Sequence, residues 1–249
     1  MRYRGLPRAV QASLWVSFLI VVGVVFYGSL PAAVAAIFHL ADVQPEKIPW
    51  MTSRITAFLA YGALAASTIY GLAMTTKTLD LIARRTVTNR LHEDLAFWGL
   101  LLGTTHAVLL MFDDFIQFTW QSILVPFAAS YRPDAVAYGV FALYLTASLV
   151  ITSKARRFIG LRLWRVIHLL AFVAFGLLTA HGLAAGTDST TEWARVLYLG
   201  AVTLVTFFFA IRVLQKISGE DHTSPWRGGA APGGREVRWR LTWWPSFNG

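Results

Sequence analysis

The chain has no cysteine in 249 residues. That absence excludes disulfide frameworks, zinc–thiolate sites, iron–sulfur clusters and covalent c-type haem attachment. Charge is also scarce. Asp, Glu, Lys and Arg make up only 14% of the residues, against about a quarter in a soluble domain. Acidic residues are the scarcer kind, 13 against 22 Lys+Arg, for a net charge of +9. On a soluble chain that excess would point to nucleic acid. Here 56% of residues are hydrophobic and gathered into long runs, which points away from nucleic acid and toward a multi-pass membrane protein. Disorder and a compact soluble enzyme are excluded on the same ground. No Gly-rich phosphate loop of the G-x-G-x-x-G type is present.

What is there is a set of six apolar segments, 12–33, 55–75, 91–112, 135–152, 163–184 and 193–213. Each is near or above the roughly 20 residues that cross a bilayer as a helix. A lipid-exposed strand could not satisfy its own backbone, so all six are expected to be helical. The fold class is therefore all-α, a six-transmembrane-helix bundle. The expected division is an N-terminus at 1–11, a membrane domain at 12–217 and a tail at 218–249. Arg2, Arg4 and Arg8 before the first run, and small residues at 32–36, imitate a signal peptide. The run is longer than a signal peptide's apolar region, so it is expected to remain as a membrane helix. The connection 113–133 carries Phe115, Phe118, Trp120 and Phe127 and is expected to form a short amphipathic piece at the membrane surface. The tail is rich in Gly, Pro, Arg and Trp; its expected state is partial disorder with Trp residues at the interface.

Charge gives the orientation. With the N-terminus in the cytoplasm, 18 of the 22 Lys+Arg fall on the cytoplasmic side and 4 outside, namely Lys47, Arg54, Arg132 and Arg195. The acidic residues divide 6 inside and 7 outside, so the net charge is +12 within and −3 without. By the positive-inside rule both termini are cytoplasmic. The expected location is a cytoplasmic membrane.

Six histidines are present. His39 and His222 read as interfacial or solvated imidazoles. His92 and His106 share the third segment, and His168 and His181 share the fifth. An ionisable group inside a membrane helix is a functional candidate. Both segments start on the cytoplasmic side, so His92 and His168 lie at one depth. His106 lies 14 residues on and His181 13 residues on, each roughly 20 Å farther out. Two pairs result, one per leaflet. Haem b takes two axial nitrogens on opposite sides of its iron, which facing helices can supply. Zinc or di-iron sites would want further His or carboxylate ligands within about a turn, and none accompanies His106 and His181. Four independent packing histidines are the alternative, and would have to match in depth by chance. One strain is visible. Fourteen residues bring His106 within about 40° of His92, but thirteen leave His181 about 140° from His168 on an ideal helix.

These residues resemble the ferric-reductase-like transmembrane domain, shared by NADPH oxidases, ferric reductases and the haem subunit of periplasmic methionine-sulfoxide reductase systems. The resemblance covers about residues 50–215. The run from Trp164-Arg165 through His168, His181-Gly182 and Gly186-Thr187-Asp188 is similar to the bacterial branch. It implies two b haems, the inner on His92 and His168 and the outer on His106 and His181. It also implies single-electron transfer from a cytosolic flavin to an acceptor on the far side. Oxidases and reductases of this type usually continue into a flavin- and nicotinamide-binding domain. Only 32 residues follow position 217, too few for a dinucleotide fold. The expected donor is therefore a separate flavin reductase or flavoprotein, with FMN or FAD present only transiently. NADPH oxidases carry a further histidine one turn beyond the outer ligand; Leu110 stands there in this chain, against superoxide production.

Supporting residues can be nominated. Arg54 is the leading outer-side candidate for a haem propionate, with Arg195 next; Arg84, Arg85, Arg90, Arg162 and Arg165 are the inner ones. Trp98 and Phe175 lie near mid-depth and are candidates to sit between the haems, against ordinary packing. Glu93 and Asp94 could orient the His92 imidazole, against plain solvation at a helix end. The acceptor is expected to be an extracytoplasmic metal ion, flavin domain or reductase. Two competing readings remain, a quinol-linked cytochrome b and a non-redox channel or transporter.

Overall fold

The structure is a computed structural model that describes residues 48–76, 85–113 and 116–218. Helices α1 (Ile48–Thr75), α2 (Arg85–Leu109), α3 (Trp120–Leu124), α4 (Pro133–Lys154), α5 (Arg156–Ile159), α6 (Leu161–His168), α7 (Leu170–Ala185) and α8 (Glu192–Ile217) follow in order. No strand occurs among the described residues. Five spans are long and apolar enough to cross a membrane: α1, α2 with the 3₁₀ turn after it, α4, α6 with α7, and α8. They correspond to the second through sixth apolar segments. The first segment, the tail, His39, His222 and Arg84 lie outside the described residues.

The sequence explains why these stretches close as helices in an apolar medium. Their hydroxyls return to the helix's own carbonyls: Thr68 to Leu64, Thr104 to Leu100, Thr105 to Leu101, Thr152 to Ser148 and Thr179 to Phe175. That bonding hides a polar group from lipid. Pro133 starts α4, where its missing N–H costs nothing, and Asp134 faces the positive end of the helix. Gly160 separates α5 from α6 at φ +81°, a conformation that only glycine adopts without strain.

Helices α1 and α2 pack antiparallel. Gly99 makes this approach possible: a Cβ there would lie 2.6 Å from Leu64 Cγ. Helix α8 docks on α1 and α7 through Ala194, Tyr198, Ala201, Val205 and Phe208. These buried residues recur at steps of four and three, the seam of one helix face. Helix α4 pairs with α7, and α2 meets α4. Outward faces carry Leu59, Phe97, Ile151 and Leu199, all exposed, as lipid contact requires.

The fifth apolar segment is not one smooth helix. The Leu169 N–H is shared between the Arg165 and Val166 carbonyls, and the Phe172 N–H bonds to Leu169 O at 3.2 Å. This is a tightened turn directly after His168. A residue wound at 3.0 per turn advances about 20° more than one wound at 3.6. The change acts in the direction that reduces the expected mismatch between His168 and His181.

The connection between α2 and α4 is amphipathic, as its composition suggests, and it folds inward. Thr119 caps α3 by accepting from the Ser122 N–H at 3.3 Å. Phe118 and Ile123 are buried with Ala129, Val136 and Val140, and Leu110 packs against them. Trp120 and Phe127 stay exposed. The connection therefore roofs one end of the bundle.

Candidate functional site

The four intramembrane histidines form two facing pairs. The His92 and His168 rings lie 6.1 Å apart, centre to centre, with planes at 72°. The His106 and His181 rings lie 6.3 Å apart with planes at 67°. A single metal ion with metal–nitrogen bonds of about 2.0 Å to each imidazole would hold two ring centres about 6 Å apart. The spacing of each pair thus fits two axial nitrogens on one metal.

Three of the four rings are fixed from behind. His106 Nδ1 donates to Ser53 O at 2.9 Å, while Ser53 Oγ lies 2.9 Å from the same nitrogen and donates to His106 O at 3.2 Å. His92 Nδ1 donates to Ser67 O at 2.8 Å, and Ser67 Oγ, 3.0 Å from Nδ1, donates to His92 O at 3.0 Å. His181 Nδ1 donates to Ala135 O at 2.8 Å. A carbonyl oxygen only accepts, so each Nδ1 carries the proton. In the neutral ring Nε2 then keeps its lone pair for a metal, and the carbonyl raises its donor strength. His168 Nδ1 is buried and has no hydrogen-bond partner among the described residues; Trp164 stacks on that ring instead, at 4.9 Å and 29°.

Glycines make room for the rings. A Cβ on Gly139 would stand 2.7 Å from His181 Nδ1, and one on Gly71 would stand 3.2 Å from His92 Cε1. Among the described residues no three His, Asp or Glu side chains converge on one point. A four-ligand zinc or carboxylate-bridged di-iron site has no donor set there. Two nitrogens per site suit a metal whose other ligands arrive with it.

The outer pair borders a largely apolar cavity whose walls include Leu64, Leu100, Ala142 and Leu143. The roof is Phe118, Ile123 and Tyr131. Arg54 stands at its rim. Its guanidinium binds both carboxylate oxygens of Asp188, with Nε at 2.6 Å from Oδ2, and lies over the Trp50 ring at 4.3 Å. Tyr131 donates to Ala185 O at 3.4 Å and Arg132 to Ala184 O at 2.6 Å, which ties the roof to the end of α7.

Other nominated residues fall elsewhere. Trp98 is 56% exposed on the outside of α2, against Phe97; six residues from His92 turn it about 240° around the helix. Phe175 is buried against Tyr61, ring centres 6.3 Å apart, in the core shared by α1, α7 and α8; its role there is packing. Glu93 pairs with Lys154 at 3.4 Å on an exposed surface, and Ser67 holds the His92 nitrogen that Glu93 was nominated for. Arg90, Arg162, Arg165 and Arg195 are exposed.

Sequence reasoning missed Ser53 and Ser67. Their signal was present: they are 14 residues apart on α1, as are His92 and His106 on the antiparallel α2.

Residues 56–179 match the family model described as ferric reductase like transmembrane component. The match takes in His92, His106 and His168, and ends two residues before His181. Comparisons with curated proteins and with solved structures found no match. The matched span contains the facing pairs' helices almost entirely and runs through four of the five candidate membrane spans; α8 lies beyond it. The chain belongs to the ferric reductase-like transmembrane component family.

Proposed function

We propose that this chain is a transmembrane electron-transfer subunit holding two b haems, the inner on His92 and His168 and the outer on His106 and His181. The observation that carries the reading is the pair of facing imidazole sets, each about 6 Å across, with three of four Nδ1 groups donating to backbone carbonyls. A bound haem b supplies a one-electron iron couple at each level. Two such levels roughly 20 Å apart divide a hydrocarbon barrier of about 30 Å into shorter steps.

The chain's own residues perform the rest. Ser53, Ser67 and Ala135 hold three rings in one tautomer and present Nε2 inward. Gly139 and Gly71 give the rings the volume they occupy. The apolar walls and the roof of Phe118 and Ile123 keep water from the outer level. Arg54, oriented by Asp188, is the outer partner for a propionate.

Electrons enter from a cytosolic flavin reductase or flavoprotein, whose FMN or FAD docks transiently at the basic face. They leave to a metal ion or reductase outside. The setting is the bilayer of a bacterial cytoplasmic membrane, with both termini in the cytoplasm. The test is reduction of the purified chain in proteoliposomes. A reduced flavin presented to the Lys/Arg-rich side is expected to reduce both haems, and a quinol is not. Reduction by quinol alone would overturn the donor assignment and favour a quinol-linked cytochrome.

A further inference from the structure

Three of the four imidazoles have a carbonyl behind Nδ1; among the described residues His168 has none, although that nitrogen is buried. Its ring is held differently. Trp164 lies one helical turn earlier, on the same face of α6. The two rings stack at 4.9 Å with planes at 29°. Trp164 is itself tied to α4, its Nε1–H donating to Ser153 Oγ at 3.3 Å. The axis Ser153–Trp164–His168 thus reaches α4, the helix that holds His181 directly through Ala135 O.

We infer that Trp164 is the positioning residue of the inner site: it fixes the plane of the His168 ring by stacking, where the other three rings are fixed by hydrogen bonds. This rests on the reading of His168 as an axial ligand. A stacked ring has its plane fixed and its Nδ1 unassisted. A carbonyl-bonded ring has both its plane and its donor strength set. The two sites are therefore unequal: the outer iron meets two strengthened nitrogens and the inner iron one. With ring planes at 72° and 67°, each site is expected to give a strongly anisotropic low-spin ferric EPR signal, whose position reports the angle between the two imidazole planes.

The test uses the full-length chain purified with its haems, read by EPR and by redox titration. Trp164→Leu is expected to keep two haems per chain while shifting one low-spin signal and its midpoint. Gly139→Ala, which crowds His181 at the outer site, is expected to remove the other signal and leave this one in place. Trp164→Phe keeps a stacking ring but loses the bond to Ser153, and is expected to shift the first signal less than Leu does. Unchanged signals in Trp164→Leu overturn the inference, as does a Phe variant shifted as far as Leu. If Trp164→Leu does not fold, Ser153→Ala decides: it loosens Trp164 without removing a ring and must shift the inner signal alone, and an unchanged spectrum overturns the inference. A wild-type chain without haem is a different failure, seen before any variant is compared, and removes the ligand reading itself.

Discussion

At three imidazoles a backbone carbonyl decides which nitrogen carries the proton. At Ser53 and Ser67 the backbone carbonyl accepts from Nδ1, and the serine hydroxyl separately donates to the histidine's own backbone carbonyl. His181 is held by Ala135 O and by the space over Gly139. That space gives a sharp prediction. Gly139→Ala drives a methyl to 2.7 Å from Nδ1, so the ring must move or the helices part. Overpacking of this kind costs about 1–3 kcal/mol. The expected outcome is a chain that retains the inner haem and loses the outer one, measured as haem per polypeptide falling from two to one. Retention of both with unchanged spectra would show that His181 does not occupy its place as an axial ligand. The histidines themselves were legible in the sequence, because the 14 and 13 spacings give depth directly. Depth alone does not give rotation: at 100° per residue Trp98 stands about 240° from His92 around α2, where it is exposed.

Elements impose the constraints that single residues do not reveal. Helices α4 and α7 lie against each other, and that neighbourhood is what gives His181 its carbonyl. Nothing in the spacing of either helix names its neighbour, so Ala135 and Gly139 could not be nominated from sequence. Phe175 has the same history. Its depth was legible, but its burial against Tyr61 depends on α1 and α8 closing around α7. The tightened turn at Leu169 acts against part of the angular mismatch that ideal helices imply, and it comes directly after His168. The outer end is secured by the Arg54–Asp188 pair, which ties the start of α1 to the loop between α7 and α8. Both side chains are largely shielded, at 29% and 13% exposure. Arg54→Gln strands the Asp188 carboxylate and is expected to lower stability by about 1–3 kcal/mol. Asp188→Asn is expected to cost a similar amount, and the double variant less than the sum of the two. Denaturant titration of all three variants measures this; strict additivity would mean that the pair contributes no coupling.

The whole molecule is organised by the two sides of a membrane. The net +9 of the sequence separates into +12 on one side and −3 on the other under the six-segment assignment. Five candidate spans are present among the described residues, and the matched region runs through four of them. The absence of cysteine makes the orientation directly testable, since any introduced thiol is the only one. Arg157→Cys, in the short α5, is expected to react with a membrane-impermeant maleimide only in inverted vesicles. Glu192→Cys, at the start of α8, is expected to react only in right-side-out vesicles. The reverse pattern would invert the topology and exchange the inner and outer sites. The five described spans were legible at this scale because hydropathy length is a one-dimensional signal. The bonding behind the rings was not, because it depends on which helices are neighbours.

The central claim is that the four histidines hold two haems, two nitrogens to each iron. A reduced-minus-oxidised spectrum of the purified chain, with haem quantified against polypeptide, tests it most directly. The account predicts a b-type spectrum and two haems per chain, with His106→Ala keeping only the inner haem. No b-type haem, or one haem per chain in the wild type, would contradict it.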